Sequence, residues 1–255
     1  MNARTPPLAP LVDAIVAARR SATPARADAA IVPASHAVAY ATQQAVTDTL
    51  GLAIGGFKVG MLADGTPTSA PMYTQDMRAS GASWRLPASG ALVVEIELAM
   101  RMAHDLLARP GRAYTRDEVA AAIGEVLVGV ELLKSRFAGD AFPAPAVHLA
   151  DNLGNLGYIT GGATRNFATL DLARITCRYA LDGVEAHAAI GGHPQDDPWK
   201  PLLACLDAGT LGAGGLRAGQ LVTTGTLVKP FRISEPARLT AALDGIGSVS
   251  VEFVR

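Results

Sequence analysis

Glu95 and Glu97 stand two residues apart in Val93-Val94-Glu95-Ile96-Glu97-Leu98-Ala99-Met100, a run that is otherwise apolar. In a strand, alternate side chains share a face, so both carboxylates point one way while Ile96 and Leu98 point the other. Aliphatic surroundings are a costly place for glutamate, which is seldom buried without a partner. Like charges on one face also repel. Either this is an edge strand whose polar face meets water, or something positive faces the pair. A divalent cation is the economical candidate, because hard cations take carboxylate oxygens. Glu131 is a third carboxylate among aliphatic residues, in Val128-Gly129-Val130-Glu131-Leu132-Leu133. Glu125, nearer the preceding helix, reads as solvated.

Gly55-Gly56-Phe57-Lys58-Val59-Gly60 sets a lysine between glycines in an apolar strand, the mark of a close backbone approach. Such a lysine ordinarily snorkels to water. Held in a cleft beside a metal, it would have a lowered pKa and could move protons. Asp76 falls in residues 62–83, a polar stretch with Gly, Pro and Thr that reads as a long loop or lid. His36, His104, His148, His187 and His193 read as surface or packed histidines rather than ligands.

The elements that must position these groups follow in order. Leu11, Ile15 and Ala18 fit one face of a helix over residues 8–20. Ser35 caps a second helix, His36 to Leu50, which Gly51 ends. Thr115 opens a third, with Asp117 and Glu118 at its positive end. Asp182-Gly183 joins two loosely alternating segments as a hairpin. Pro201 lies near the start of a helix ending at Ala208. Residues 221–228 form a β-branched strand, and the chain closes on strands around a turn at Asp244 to Gly247. There is no internal repeat, low-complexity segment or clear linker.

The 255 residues suffice for one large domain or two small ones. With 22 basic and 23 acidic residues the net charge is −1, and no basic excess argues for nucleic acid or a membrane surface. Two cysteines without CxxC spacing suit a reducing compartment and give neither a zinc site nor a disulfide framework. Residues 1–18 lack the apolar core of a signal peptide, and no run has the roughly 20 apolar residues that cross a bilayer. The expectation is a soluble cytoplasmic protein.

Gly56-Phe57-Lys58-Val59-Gly60, Glu95-Ile96-Glu97, Glu131 with Ser135-Arg136, Ala150-Asp151-Asn152, and Gly219-Gln220-Leu221-Val222-Thr223-Thr224-Gly225 occur in this order, with Ala39-Tyr40 and Gln43 upstream. Together they resemble the 2-keto-4-pentenoate hydratase and 4-oxalocrotonate decarboxylase family of the fumarylacetoacetate hydrolase superfamily. The resemblance runs from about Leu8 to the C-terminus. It implies an α+β fold, a mixed and partly open β-roll or barrel with helices around it. An N-terminal segment, residues 1–78, would pack on a catalytic core, residues 79–255, as one unit. It further implies Mg²⁺ or Mn²⁺ held by Glu95, Glu97 and Glu131, with Lys58 as the active-site lysine and Asp76 as an acidic residue of a mobile segment. Ser135, Arg136, Asn152 and Thr226 fall where substrate or the metal ligands would be positioned. Members are usually homo-oligomers, so a homo-oligomer is expected.

The implied ligand is a 2-oxo acid or 2-hydroxydienoic acid, whose carboxylate and keto oxygens suit a single hard cation acting as a Lewis acid. The implied reaction is addition of water to a 2-hydroxy-2,4-dienoate, or its 2-oxo-3-enoate tautomer, giving a 4-hydroxy-2-oxo acid, as in meta-cleavage degradation of aromatics. A decarboxylase acting on a 2-oxo-3-enedioate would use the same machinery. A non-catalytic 2-oxo acid-binding relative is the contrasting reading. It gives no reason to keep three mutually repelling carboxylates together with Lys58. The chain departs from the family pattern at Met61-Leu62-Ala63, at Pro71-Met72 and at Gly154, where a hydroxyl is lost, while Gly225-Thr226-Leu227 keeps one. These positions bear on the organic ligand rather than on the metal.

Overall fold

The alternation in Leu92–Met102 decides how the molecule is layered. Val94, Ile96, Leu98 and Met100 are fully buried in the main core, and the odd-numbered residues share the opposite face with Glu95 and Glu97. The strand lies in the interior of a sheet, so the edge-strand alternative falls. The computed structural model describes residues 6–109, 111–139, 141–212 and 214–255. Residues 1–5, which begin the stretch weighed as a signal peptide, lie outside them.

In chain order the elements are α1 (Ala9–Ser21), α2 (His36–Leu50), β1 (Ile54–Met61), β2 (Pro67–Tyr73), β3 (Met77–Ala79), β4 (Ala82–Arg85) and β5 (Leu92–Met102). There follow α3 (Arg116–Ala122), β6 (Ile123–Leu133), α4 (Pro145–Ala150), β7 (Asn155–Thr164), β8 (Thr176–Leu181) and β9 (Val184–Ile190). The last are α5 (Trp199–Ala208), β10 (Leu221–Thr226), β11 (Phe231–Ile233), β12 (Ala237–Leu243) and β13 (Gly247–Val254).

An eight-stranded mixed sheet runs β2-β1-β10-β5-β6-β7-β3, with β11 also on β5. Pairs β1/β10 and β3/β7 are parallel, and the other pairs are antiparallel. The sheet thus draws strands from both sides of residue 78. A five-stranded sheet, β4-β13-β12-β8-β9, covers one face through β12 and β13. This is a mixed α+β fold, a partly open β-roll with helices around it.

Curling of the larger sheet is what brings the chemistry together. β1 and β6 are three strand spacings apart, about 4.8 Å each. Lys58 on β1 nevertheless reaches Glu131 on β6, across the concave face. The edges approach but do not pair: β2 contacts β7, and Asn152 Nδ2 donates to Pro71 O at 3.4 Å. α1, α2 and α4 share a second apolar cluster with Phe137 against this opening.

Residues 62–83 are not a loop. They form β2, a single turn of helix over Thr74–Asp76, β3 and the start of β4. Their Pro, Gly and Thr residues mask strands that lie at sheet edges, where proline costs no ladder hydrogen bond. Other local signals hold. The Ser35 hydroxyl accepts from Val38 N at 3.3 Å, Thr115 and Glu118 close a capping box, and Asp182 and Gly183 take the left-handed conformations of a tight hairpin. Among the described residues no helix is long and apolar enough to cross a membrane.

Candidate metal centre

Register puts the three glutamates side by side. Glu95 pairs with Glu131 across β5 and β6, and Glu97 pairs with Gly129 one step along. One carboxylate oxygen from each of Glu95, Glu97 and Glu131 lies within 4.8 Å of the other two. Glu97 and Glu131 are buried and Glu95 is half-buried. All the ligand atoms are hard oxygens. Three carboxylates against the one ammonium of Lys58 leave two negative charges, and the residues present fit a hard divalent cation.

Lys58 Nζ donates to Glu131 Oε2 at 2.8 Å, and Asn155 Nδ2 donates to Glu131 Oε1 at 2.7 Å. The Thr223 hydroxyl donates to Glu97 Oε2 at 2.5 Å. Burial pushes the Glu95 carboxyl up to about 7, with Glu131 adding to the shift and Lys58 opposing it. Burial, then Glu131 and Glu95, hold Glu97 well above the usual carboxylate range. Burial alone would lower the Lys58 ammonium, but the fields of Glu131, Glu95 and Glu97 outweigh it and the pKa stands above that of an ordinary lysine. The lowered lysine anticipated for a metal site is therefore not seen while these carboxylates face the ammonium unopposed.

The remaining predicted residues form the surroundings. Asp151 Oδ2 accepts from Arg136 N at 2.8 Å and from the Ser135 hydroxyl at 3.3 Å. The Arg136 guanidinium donates to the carbonyls of Lys134, Asp151 and Asn155, which ties it through Asn155 to Glu131. Asn152 fastens this network to β2. The Thr226 hydroxyl, opposite Glu97 in register, donates to Val228 O at 2.9 Å. Asp76 pairs with Arg19 Nη1 at 3.6 Å, and burial raises its carboxyl against the pull of Arg19 and Arg136.

Arg19 was not anticipated. It lies at the end of α1 over the Tyr73 ring, and burial, then Arg136, lower its guanidinium to about 10. In sequence it is simply one of two basic residues ending a helix. Tyr158 and Asn155 were missed for a similar reason, since a tyrosine in a strand and an asparagine before one carry no chemical signal.

Two cross-strand pairs beyond Glu95–Glu131, a small cavity is lined by Val93 and Leu133 with Ser135 and Phe142. In the other direction the apolar residues Met72, Ala99, Leu127, Tyr158 and Leu221 separate the carboxylates from an open cleft of about 500 Å³ that includes Met77, Arg78, Arg101 and Gln220.

No family model matches the chain. It is 30% identical over 143 residues to 4-oxalocrotonate decarboxylase of Pseudomonas putida, a match covering 54% of this chain and 52% of that protein. The matching part thus spans about half the length of the curated relatives it matches. The solved 4-oxalocrotonate decarboxylase of Pseudomonas putida G7, complexed with magnesium and adipate, superposes with a TM-score of 0.82 at 22% identity, covering 96% of both chains. Fumarylpyruvate hydrolase of Pseudomonas aeruginosa, complexed with Mn²⁺ and pyruvate, superposes with a TM-score of 0.55 at 16% identity, covering 78% of this chain and 88% of that one. Sequence and fold point the same way: the chain is similar to 4-oxalocrotonate decarboxylase over about half its length and shares the fold of the solved enzyme over nearly all of it.

Proposed function

We propose that this protein is a divalent-metal-dependent lyase acting on a 2-hydroxy-2,4-dienoate or the corresponding 2-oxo-3-enoic acid. The observation that carries the reading is the convergence of Glu95, Glu97 and Glu131 around one point, with Lys58 against them. Glu95, Glu97 and Glu131 would hold Mg²⁺ or Mn²⁺. The ion, when bound, supplies Lewis acidity to the carboxylate and keto oxygens of a 2-oxo acid.

The chain's own groups account for the rest. Lys58 keeps a proton on Nζ at the floor of the site and is the donor and acceptor for the shift between dienol and keto forms. Asp76, with a raised carboxyl, exchanges the second proton, and Arg19 fixes its orientation. Ser135 lines the small cavity next along β5 and β6, with its hydroxyl held by Asp151. Arg136 and Asn152 act through the buried Asp151 network that sets the position of Asn155 and hence Glu131. Thr226 borders the site beside Glu97. Val93, Leu133 and Phe142 give the ligand's carbon chain an apolar wall.

Two outcomes share these groups. Addition of water at C4 gives a 4-hydroxy-2-oxo acid. Loss of CO₂ from a 2-oxo-3-enedioate is favoured by one specific observation, the half-chain sequence similarity to a decarboxylase. The test is an ultraviolet assay of metal-loaded protein against 2-hydroxydienoates and 2-oxo-3-enedioates, with product identification and CO₂ measurement. Turnover that a chelator stops and Mg²⁺ or Mn²⁺ restores supports the reading. Full activity in the presence of chelator overturns it.

A further inference from the structure

Tyr158 stands beside the carboxylate cluster with a fully buried hydroxyl that faces Thr223 but makes no well-formed hydrogen bond among the described residues. Its position is set by register. Tyr158 pairs with Glu131 across β6 and β7, and Gly129 is the next residue of β6 on that face. A Cβ on Gly129 would sit 2.1 Å from the Tyr158 hydroxyl oxygen and 2.4 Å from Cζ. The phenol therefore lies flat across β6, and only glycine lets it pass. On the far side of Gly129 is its partner on β5, Glu97. The hydroxyl is thus delivered toward Glu97 and Thr223. Burial, then the field of Glu97, hold its pKa far above that of an ordinary tyrosine, so it keeps its proton and can act as a donor.

An unmade hydrogen bond on a buried hydroxyl costs about 1–3 kcal/mol. Phenylalanine would fill the same space without that cost. Glu97 is the nearby group that can use the proton. Thr223 already occupies one of its oxygens, and a second donor would fix the plane of the carboxylate.

We propose that Tyr158 is a positioning residue for the cation site: its hydroxyl donates to the Glu97 carboxylate, beside Thr223, when a divalent cation draws Glu97 into its coordination. This rests on the metal reading of the three glutamates.

The test compares wild type with Tyr158→Phe, using calorimetric titration with Mn²⁺ alone, the Mn²⁺ electron paramagnetic resonance spectrum, and the thermal midpoint after chelation. The expected result has opposite signs in the two states. Chelated Tyr158→Phe unfolds at the same temperature as wild type or higher, because an unpartnered hydroxyl is gone. Its Mn²⁺ affinity falls roughly 10- to 100-fold, the range for a group that orients a ligand, and the zero-field splitting of the bound ion changes. Gly129→Ala, which displaces the ring, weakens Mn²⁺ binding in the same direction. Mn²⁺ affinity within twofold of wild type in Tyr158→Phe overturns the proposal, as does a chelated variant that unfolds earlier, since that marks a packing role. Wild-type protein that takes up no Mn²⁺ removes the metal reading and this proposal together. Wild-type binding with an unchanged Tyr158→Phe removes only the role of Tyr158.

Discussion

Lys58 Nζ and Glu131 Oε2, 73 residues apart in sequence, form a 2.8 Å ion pair in which Glu131 is fully buried and the Lys58 side chain is 13% exposed. The ammonium occupies ground that a divalent cation would otherwise share, and it neutralises one of three carboxylates. Glu131 is held on its other oxygen by Asn155, so it has little freedom to turn away. Cation binding and the protonation of Lys58 are therefore coupled through one carboxylate.

Replacing Lys58 by Ala separates these roles. Turnover is expected to fall by about 10²- to 10⁴-fold, the usual contribution of a positioned proton donor or acceptor. Mn²⁺ affinity should hold or rise, because a competing positive charge is gone. A weakened affinity with an unchanged kcat would show that Lys58 serves the metal ligands instead of the proton.

Glu97→Gln removes one ligand while keeping its volume. Metal-dependent turnover is expected to vanish and metal affinity to drop by more than about 100-fold, beyond the range for a group that only orients a ligand. The metal-free variant should be no less stable than wild type, since burial already favours the uncharged form of Glu97 that glutamine mimics. Retention of wild-type activity would count against the site.

Asp151 and Ser135 differ sharply in what their loss leaves behind. The Asp151 side chain is fully buried and faces Arg136, itself 5% exposed. Asp151→Ala strands that guanidinium and should cost roughly 3–5 kcal/mol in urea unfolding. Ser135→Ala removes one hydrogen bond to the same carboxylate and should cost about 1 kcal/mol. Equal losses would mean that the network does not hold this wall of the site.

His148 gives the stability a pH dependence of known sign. Burial, then Lys58 and Arg136, lower its pKa to about 4, against 6.5 for an ordinary histidine. Between those values the unfolded chain takes up a proton that the folded chain refuses. The stability that His148 contributes is therefore full above pH 6.5 and is lost as pH falls toward 4. Unfolding free energies from urea titration across that interval should fall less in His148→Phe than in wild type, by on the order of 1–3 kcal/mol. Identical slopes would assign the acid sensitivity to other groups.

The sequence was most legible where one rule acted alone. Alternation placed Glu95 and Glu97 opposite Ile96 and Leu98, and Ser35 and Gly51 marked both ends of α2. The anomaly of Glu131 among aliphatic residues pointed to the same centre. Its pairing with Glu95 could not be read, because register between β5 and β6 is a long-range property. β2 and β3 were hidden because edge strands tolerate the proline and polar residues that otherwise signal loops. Nothing in the sequence marks Gly129 as the position over which the Tyr158 ring lies, because that contact joins two strands far apart in the chain. Arg19 carried no signal at all, since its target, Asp76, lies in a segment whose own structure was misread.

The two-sided character of β5 makes it intolerant of any change in length. Its odd positions supply acid groups and its even positions supply cohesion, so an inserted residue would exchange their addresses downstream. Carboxylates would be driven into the oily layer just as isoleucine and leucine were turned toward the vacated hollow. An insertion scan through this strand should therefore find folding and ion uptake failing at the same sites, whereas insertions at the Asp182-Gly183 bend should spare both.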